Sequence, residues 1–384
     1  MRKALVIASM ASMLDNFNRS NISILDNMGY DITLAASFGS EDSNSGERNR
    51  SFHNEMISCG YSVKDIGFSR SLGNILGQLR SIFQVNKLLK EGFDLVHCHS
   101  PICSVITRLL YSKYRKKGGK IIYTAHGFHF YKGAPLKNWL IYFPVEWLCS
   151  FFTDVLITIN KEDYHFAKRH MHAKKVVYVP GVGVDTTKFK RQGIDTAEKR
   201  RTIDITDDDI MLLSVGELSD RKNHQIVIKA LGYMKERGYD IHNIKYVICG
   251  IGDNKDMLEN MAEEYGADVR LLGYRSDIAE LCECADIYVF PSLQEGLPVA
   301  LMEAMSMGLP CIASKIRGNT DLIRDGVNGY LCRPNDTKGF AIKIRKLCFN
   351  KEIRSKFSTT NLEKIQDYNT VKINYMMKRI YETV

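Results

Sequence analysis

The sequence predicts an α/β protein of two domains, each with a parallel β-sheet that carries helices on both faces. Short apolar, β-rich runs alternate with helix-like segments along the whole chain, and this alternation is typical of parallel sheets. A length of 384 residues suits two domains of ordinary size. The alternation is interrupted once, from Pro180 to about Asp209, by a turn-rich and charged stretch that we interpret as the hinge between the domains.

The strands of the first half are predicted to end where short apolar runs stop. These places are Ala8, Ala36, Val63 to Ile66, His97, Tyr123 to His126, Leu156 to Ile159 and Val176 to Val179. The first run follows Met1-Arg2-Lys3 and imitates a signal peptide. We favour a strand, because a helix-like segment and a second strand at Ile32–Ala36 complete an α/β unit with it. No run reaches the roughly 18 apolar residues of a membrane-spanning helix.

Charge is distributed unevenly, and cysteines are scattered. The first 200 residues carry 28 Lys and Arg against 17 Asp and Glu, a net +11, whereas the remainder has a net −2. None of the ten cysteines has the spacing of a zinc or redox motif, and the nearest two, Cys282 and Cys284, are separated by one residue. Reduced, mostly buried thiols in a cytoplasmic protein are therefore predicted.

Ligands of open α/β sheets bind beyond the carboxyl ends of the strands. In the first half this rule selects Ser9, His97–Ser100 and Thr124–Gly127. His97 and His99 are two residues apart and share one face of a strand, so they could contact a polar ligand. Packing or loop roles are the alternative, and two histidines without further ligands do not predict a metal site.

The second half contains the most informative stretch of the chain, residues 285–305. Ile287–Phe290 is predicted to be a buried strand, and Pro291–Gly296 a loop. Pro298 suits the first position of a helix, whose free N–H groups attract anions. Glu295 and Glu303 are separated by seven residues. Glu303 must face either water or a bound partner, and a narrow solvated stripe is the simpler interpretation.

The pattern Pro-Ser-x-x-Glu-Gly-x-Pro-x-x-x-x-Glu-Ala over this stretch resembles the signature of the retaining glycosyltransferases of family 4. The resemblance is strong over residues 180–335 and looser over 1–180. It implies the GT-B fold, in which two Rossmann-like domains face a central cleft. The implied parts are an acceptor domain at 1–185, a nucleotide-sugar donor domain at 186–361, and a C-terminal helix at 362–384 that crosses back to the first domain.

The resemblance also implies roles for individual residues. His126, Glu295 and Lys222 are the expected catalytic groups, with His126 as a hydrogen-bonding group near the donor sugar. The expected donor-binding residues are Gly216, Arg221, Lys222, Gly250, Gly252, Arg275, Glu295, Gly296, Leu297, Pro298 and Glu303. The expected acceptor-binding residues are Ser9, His97, His99 and Lys132.

The sequence departs from the family pattern Gly-Arg-Leu-x-x-x-Lys-Gly at two positions, since Glu217 replaces the arginine and Asn223 the glycine. The donor's diphosphate would then depend on Lys222, with Arg221 as a substitute for the missing arginine. The alternative for both cations is a solvated charge pair. The glycine-rich loop that many members carry after the first strand is also missing here, so we transfer no role to it.

The resemblance implies hexosyl transfer with retention, from a nucleotide-sugar, expected to be a UDP-sugar, to a growing polyprenyl-diphosphate-linked glycan of a bacterial surface polysaccharide. Lys222, Arg221 and the helix start near Pro298 could neutralise the leaving diphosphate without a metal, so neither a metal nor a cofactor is expected, and no nucleic acid is an expected partner. A nucleotide-sugar epimerase of the same fold and a non-catalytic sugar-nucleotide-binding protein are the alternatives.

The basic first half suggests that this domain docks as a peripheral protein on the anionic inner face of a membrane. Basic clusters lie at Lys113–Lys117 and Lys168–Lys175, and an aromatic-rich segment lies at Trp139–Leu148. Trp and Tyr favour the membrane interface. The alternative is an ordinary core helix with solvated charges around it.

Overall fold

The computed structural model describes residues 1–39, 43–68, 75–116 and 118–384. The chain forms two compact units, one of residues 1–182 with 373–384 and the other of residues 183–372. Each unit contains a parallel sheet with helices on both faces, so the predicted fold class of two Rossmann-like domains is confirmed. Lys117, the last residue of one predicted basic cluster, lies outside the described residues.

The first unit is built on seven described strands in the order β3-β2-β1-β4-β5-β6-β7. They are β1 (Arg2–Met10), β2 (Tyr30–Ser37), β3 (Ser62–Asp65), β4 (Leu95–His99), β5 (Lys120–Ala125), β6 (Val155–Thr158) and β7 (Lys175–Tyr178). All seven coincide with predicted strands. The strand interpretation of the N-terminal run is confirmed, because β1 pairs in parallel with β2 on one side and β4 on the other.

Helices connect these strands and cover both faces of the sheet. They are α1 (Ala11–Phe17), α2 (Arg19–Asn27), α3 (Ser43–Ser58), α4 (Ile75–Leu89), α5 (Pro101–Tyr114), α6 (Leu136–Ser150) and α7 (Lys161–His170). Residues of α4, α5, α6 and α7 pack on one face. Residues of α1, α2 and α3 pack on the other, together with the chain end beyond Ile373.

A buried ion pair joins two helices of the first layer to the sheet. The Arg108 guanidinium of α5 donates to the Glu146 carboxylate of α6 over 2.7 Å, and the Tyr123 hydroxyl of β5 donates to the same carboxylate over 3.1 Å. Arg108 also lies 4.1 Å from the centre of the Tyr123 ring. Because the partners satisfy one another's charges, the pair is tolerated in a core that would reject either group alone.

The second unit has six described strands in the order β10-β9-β8-β11-β12-β13. They are β8 (Ile210–Val215), β9 (Ile244–Cys249), β10 (Asp268–Leu271), β11 (Ile287–Phe290), β12 (Cys311–Ser314) and β13 (Gly329–Cys332). The helices are α8 (Thr196–Arg201), α9 (Gln225–Glu236), α10 (Lys255–Tyr265), α11 (Ile278–Cys284), α12 (Val299–Ser306), α13 (Asn319–Leu322), α14 (Thr337–Cys348) and α15 (Lys351–Lys364). The strand order repeats that of the first unit and reverses direction between β8 and β11, which is where such sheets bind ligands.

The C-terminal segment differs from the single helix expected from Leu362 onward. Helix α15 ends at Lys364, a 3-10 turn covers Ile365–Tyr368, and α16 covers Thr370–Thr383. The break has a local cause, because the buried Tyr368 donates its hydroxyl to the Asp321 carbonyl and the Asn369 side chain accepts from the Val371 backbone. These contacts start a new helix instead of continuing the old one.

Candidate functional site

The loops that follow β8 and β11 meet at the reversal point of the second sheet. Lys222 lies in the loop after β8, and Glu295 in the loop after β11. The Lys222 ammonium donates to the Glu295 carboxylate over 2.8 Å, and only 14% and 11% of the two side chains are exposed. The Arg221 guanidinium donates to the same carboxylate oxygen over 3.2 Å. The structure thus brings together two catalytic candidates that are 73 residues apart in sequence.

Arg221 occupies the outer side of this cluster. Its side chain is 45% exposed, and it lies 3.8 Å from the Glu217 carboxylate as well as beside Glu295. Glu217 therefore contributes a negative charge where the family pattern has a positive one. Arg221 offsets this charge, which is consistent with its expected role as the substitute cation.

Asn223 shows why the second departure from the family pattern is tolerated. Its φ angle is 56°, in the left-handed region that glycine adopts easily and asparagine more readily than most residues. Its side-chain amide donates to the carbonyls of Pro291 and Pro334 over 3.1 and 3.0 Å. Asparagine thus keeps the turn and also holds the loop after β11 in place.

The predicted glycines let the backbones of neighbouring loops approach closely. A Cβ atom on Gly250 would lie 1.9 Å from the Gly216 carbonyl oxygen, and one on Gly252 would lie 2.4 Å from the Leu218 carbonyl oxygen. Neither distance leaves room for a side chain. Gly216, Gly250 and Arg275 line a pocket of about 470 Å³ at this edge of the sheet.

Arg275, expected at the donor, is already paired within the protein. Its guanidinium donates twice to the Asp277 carboxylate, over 2.8 and 2.5 Å. The hydrogen bonds from Arg275 and Lys199 hold the pKa of Asp277 far below its usual range. Tyr274 is 73% exposed at the rim of the same pocket. The spacing of residues in the sequence did not indicate a role for Tyr274.

Glu303 stands apart from the cluster on helix α12. Burial raises the pKa of its carboxyl to about 7, and the charge of Lys188 acts in the opposite direction. Within the described residues its side chain has no hydrogen-bond partner. A half-buried carboxylate without a donor is unfavourable, so the solvated-stripe interpretation fits poorly and a ligand hydroxyl would be a suitable partner.

The loop before α12 starts the helix one residue later than expected. Pro298 is the N-cap, with an extended ψ of 118°, and the helix begins at Val299. Leu297 is buried, and Gly318 packs so tightly against the Gly296 carbonyl that an added Cβ would lie 2.3 Å from it. Tight packing thus fixes the loop that carries Glu295.

Two residues near this site escaped sequence reasoning. The buried Arg317 donates from Nε to the Glu295 backbone carbonyl over 3.0 Å and so orients the loop. The ring of His224 accepts or donates at the Tyr246 hydroxyl over 3.1 Å, and burial followed by the charge of Lys222 lowers its pKa to about 4. Neither belongs to a recognisable motif, and only the folded loops bring them near Glu295 and Lys222.

In the first unit, Ser9 lies at the carboxyl end of β1, beside the reversal between β1 and β4. It lines a mainly apolar pocket of about 330 Å³ together with Ser100, His129 and Tyr142. Ser100 has a φ of 68°, a conformation that costs a non-glycine residue energy. Lys132 is exposed, and its backbone N–H donates to the Glu162 carboxylate over 3.0 Å.

The three predicted histidines lie close together at the ends of β4 and β5. His97 is fully buried, and its two ring nitrogens each lie 2.8 Å from a protein hydroxyl, those of Tyr381 and Thr124. Both ring nitrogens of His97 are therefore occupied by protein hydroxyls, and neither is left to bind an acceptor substrate. His99 contacts His126 directly, over 3.1 Å. Burial lowers the pKa of His126 to about 4, so this ring is neutral at physiological pH.

Comparisons with known proteins identify the family of this chain. The family described as Glycosyltransferase Family 4 matches residues 23–188, and the family described as Glycosyl transferases group 1 matches residues 195–364. The protein named "Putative glycosyltransferase EpsD" of Bacillus subtilis (strain 168) is 39% identical over 265 residues, which are 68% of this chain and 69% of that protein. The chain belongs to glycosyltransferase family 4. It is accordingly a transferase, as expected from the Glu295–Glu303 signature.

Other members of the family and solved structures extend the similarity. The Escherichia coli UDP-Gal:alpha-D-GlcNAc-diphosphoundecaprenol alpha-1,3-galactosyltransferase is 28% identical over 318 residues, 80% of each chain. The crystal structure of Anabaena HepE in complex with UDP-glucose has a TM-score of 0.78 at 18% identity, covering 99% of this chain and 100% of that one. At 18% identity, this structural similarity shows the fold alone.

We expect nucleotide binding to depend on the ionisation of Glu303. If its carboxylate accepts hydrogen bonds from the ribose, only the ionised form binds well, so affinity is full above pH 7 and falls below it. With a pKa of about 7, UDP should bind about tenfold more weakly at pH 6 than at pH 8. Titration calorimetry across this range measures the effect.

Glu303→Gln is the matched control, because it keeps the shape and removes the titration, and any pH dependence that remains belongs to groups other than Glu303, including the nucleotide's phosphates. Glu303→Ala should weaken binding at pH 8 by about 1.5–3 kcal/mol. Unchanged UDP affinity in both folded variants would show that Glu303 does not bind the nucleotide and would favour the solvated-stripe interpretation.

We expect Lys222→Ala to lower turnover more than it weakens nucleoside binding, because the negative charge of the leaving group grows in the transition state. The loss of kcat should be about 10²–10³-fold, as for other groups aimed at a developing charge. Arg221→Ala should cost less, since that side chain is 45% exposed and more strongly screened. Steady-state kinetics and UDP titrations separate the two effects, and intact turnover in Lys222→Ala would refute the assignment.

Proposed function

We propose that this protein is a retaining hexosyltransferase that moves a sugar from a UDP-sugar to a polyprenyl-diphosphate-linked glycan. The observation that carries the proposal is the Lys222–Arg221–Glu295 cluster, built from two loops at the reversal point of the second sheet. The relative named for UDP-Gal and a diphosphoundecaprenol acceptor, and HepE, solved with UDP-glucose, support this choice of donor and acceptor.

The chemistry of the cluster suits the departure of a nucleoside diphosphate. As the bond between the anomeric carbon and the phosphate oxygen breaks, the electron pair remains on the phosphate. Lys222 and Arg221 can stabilise that charge without a metal, and the metal-independence of the reaction is part of the proposal. Glu295 balances the two cations before the donor arrives and, in the proposed complex, accepts hydrogen bonds from the sugar.

The acceptor is proposed to bind at the reversal point of the first sheet. The pocket lined by Ser9, Ser100, His129 and Tyr142 lies beyond the carboxyl ends of β1 and β4. Its lining is mostly apolar, unlike the charged cluster of the second unit. Tyr142 belongs to α6, so the pocket borders a helix whose other side is exposed and apolar.

Mass spectrometry of reactions with a panel of UDP- and GDP-sugars tests this function, in the presence and absence of a polyprenyl-diphosphate-linked acceptor and of EDTA. We expect a UDP-sugar to be consumed only with the acceptor, in EDTA as well, and the product to keep the donor's anomeric configuration by NMR. Conversion of the sugar alone without acceptor would identify an epimerase. Nucleotide binding without any turnover would identify a sugar-nucleotide-binding protein.

A lipid-linked acceptor requires access to a membrane, and none of the described helices is long and apolar enough to cross one. The first unit instead exposes an apolar surface on α4 and α6, which both pack against α5. We call this surface the α4–α6 face. Its most exposed side chains are Leu76 (80%), Leu79 (56%), Phe83 (69%), Leu136 (73%), Leu140 (69%) and Ile141 (52%).

This surface differs from the one expected from sequence. Within the aromatic segment, Trp139, Tyr142 and Phe143 pack against the core of the first unit, and the neighbouring aliphatic residues face outward. Both predicted basic clusters are partly neutralised, because Arg115 and Lys174 each pair with Asp154. Lys116 lies 3.7 Å from Asp94.

Charge nevertheless favours an anionic membrane as the occupant of the α4–α6 face. Helices α4 and α5 contain no acidic residue, and α6 contains only Glu146, which is buried against Arg108. Exposed basic residues such as Arg80, Lys113 and Lys137 lie on the same helices. Apolar side chains on helices whose exposed charges are all basic are typical of surfaces that insert between anionic head groups.

Vesicle co-sedimentation of the full chain tests this docking. We expect binding to vesicles with anionic lipid, weaker binding at high salt because exposed charges are screened, and little binding to neutral vesicles. Phe83→Glu combined with Leu140→Glu should reduce the bound fraction at least about tenfold, since each apolar side chain contributes roughly 1.5–3 kcal/mol when it leaves water.

The matched control is Phe349→Glu, which replaces an equally exposed aromatic (62%) in the second unit and should bind vesicles like the wild type. An equal loss of vesicle binding in Phe349→Glu would contradict the membrane proposal. So would a wild-type protein that binds no vesicle but is fully active on a soluble acceptor.

A further inference from the structure

Two histidines at the ends of neighbouring strands of the first unit are hydrogen-bonded ring to ring. His99 Nδ1 lies 3.1 Å from His126 Nε2. Burial lowers the pKa of both rings, to about 4 for His126 and well below the usual value for His99. With both rings neutral, one of the two nitrogens carries the proton and the other presents a lone pair. Only two arrangements of the pair are then compatible with the contact.

The surroundings of His99 distinguish these arrangements. Its other nitrogen, Nε2, is buried and has no partner within the described residues. If His99 donates from Nδ1, Nε2 presents an unused lone pair. If His99 accepts at Nδ1, Nε2 becomes a buried N–H without an acceptor, and such orphaned donors are rarer in proteins than under-used acceptors.

We infer that His99 is a positioning residue that fixes the tautomer of His126: His99 donates from Nδ1 to His126 Nε2, so the ring proton of His126 lies on Nδ1. No partner for His126 Nδ1 is found within the described part of the chain. His126 therefore presents a neutral N–H donor, and the group it can receive is an acceptor oxygen, such as a sugar hydroxyl or ring oxygen. A ring in this state is neither a general base at that nitrogen nor an imidazolium acid at neutral pH.

The position of His99 is itself held by a third histidine. The centres of the His97 and His99 rings are 4.1 Å apart. His97 is fixed from both sides, by the Thr124 hydroxyl on β5 and by the Tyr381 hydroxyl on α16. The C-terminal helix therefore supports the ring that orients His126, although none of these supporting groups needs to touch a substrate.

The consequence for activity rests on the proposed function, but the tautomer itself does not. We would label the histidines of the full chain with 15N and assign the protonated nitrogen of each ring by two-bond 1H–15N correlation, without any ligand. The expected result is a proton on Nδ1 of His126. His99→Phe should shift His126 towards the Nε2–H tautomer, whereas His99→Asn should keep Nδ1–H, because an asparagine amide can donate from nearly the position of Nδ1.

His165, exposed on α7, supplies the reference, since its tautomer should be the same in all three proteins and His165→Asn should leave turnover unchanged. In the transferase reaction, His99→Phe should lower kcat about tenfold, the cost of one misplaced hydrogen bond, with the donor KM nearly unchanged. His99→Asn should remain within about threefold of the wild type.

An Nε2–H tautomer of His126 in the wild-type protein would overturn the inference whatever the activity. So would an unchanged tautomer in a folded His99→Phe, with thermal unfolding as the check of folding. If that variant does not fold, the wild-type spectrum and His99→Asn decide the question. The predicted tautomer in a protein without transferase activity would instead uphold the inference and count against the proposed function alone.

Discussion

The ion pair between Lys222 and Glu295 organises the second unit's site. It links the loops after β8 and β11, the two strands between which the sheet reverses. Both side chains are largely buried, so each depends on the other to offset its lost hydration, and removal of either would leave an uncompensated charge. The surrounding contacts of Arg221, Asn223 and Arg317 serve to keep the two loops at this distance.

The two units use one topology for opposite chemistry. In the second, charged side chains gather at the reversal point, and Arg221 on the outer side of the cluster is 45% exposed. In the first, the corresponding loops present an apolar pocket and rings kept neutral by burial. The strand order is common to both, so the contrast arises from the loops, as expected for folds that carry many functions.

The predictable part of the structure follows from local patterns. Strands β1, β2, β5 and β6 of the first sheet are largely apolar runs of the length a buried parallel strand needs, so their positions were evident from residues alone. The site signature was recognisable for a similar reason, since Glu295, Pro298 and Glu303 lie within nine residues of one another. The first and last residues of the helices were less certain. Pro298 caps α12 instead of starting it, and the expected C-terminal helix is interrupted by the buried Tyr368.

These local patterns do not predict contacts between residues that are far apart in sequence. The aromatic segment of α6 was recognised as membrane-like, but only packing against the core separates Trp139 and Phe143 from the outward-facing Leu140 and Ile141. Arg115 and Lys174, which the sequence places in two separate basic clusters, prove to share Asp154 as a partner.

The sequence by itself determined the α/β class, the strands and the signature of the family, because these depend on periodicity and on short spacings. The tertiary structure decided which charges are paired and which polar atoms are buried. It alone brings Lys222 to Glu295, places His99 against His126, and leaves Glu303 half-buried with no hydrogen-bond donor among the described residues. Pairing and burial depend on the mutual approach of distant loops, and no local pattern of residues records that distance.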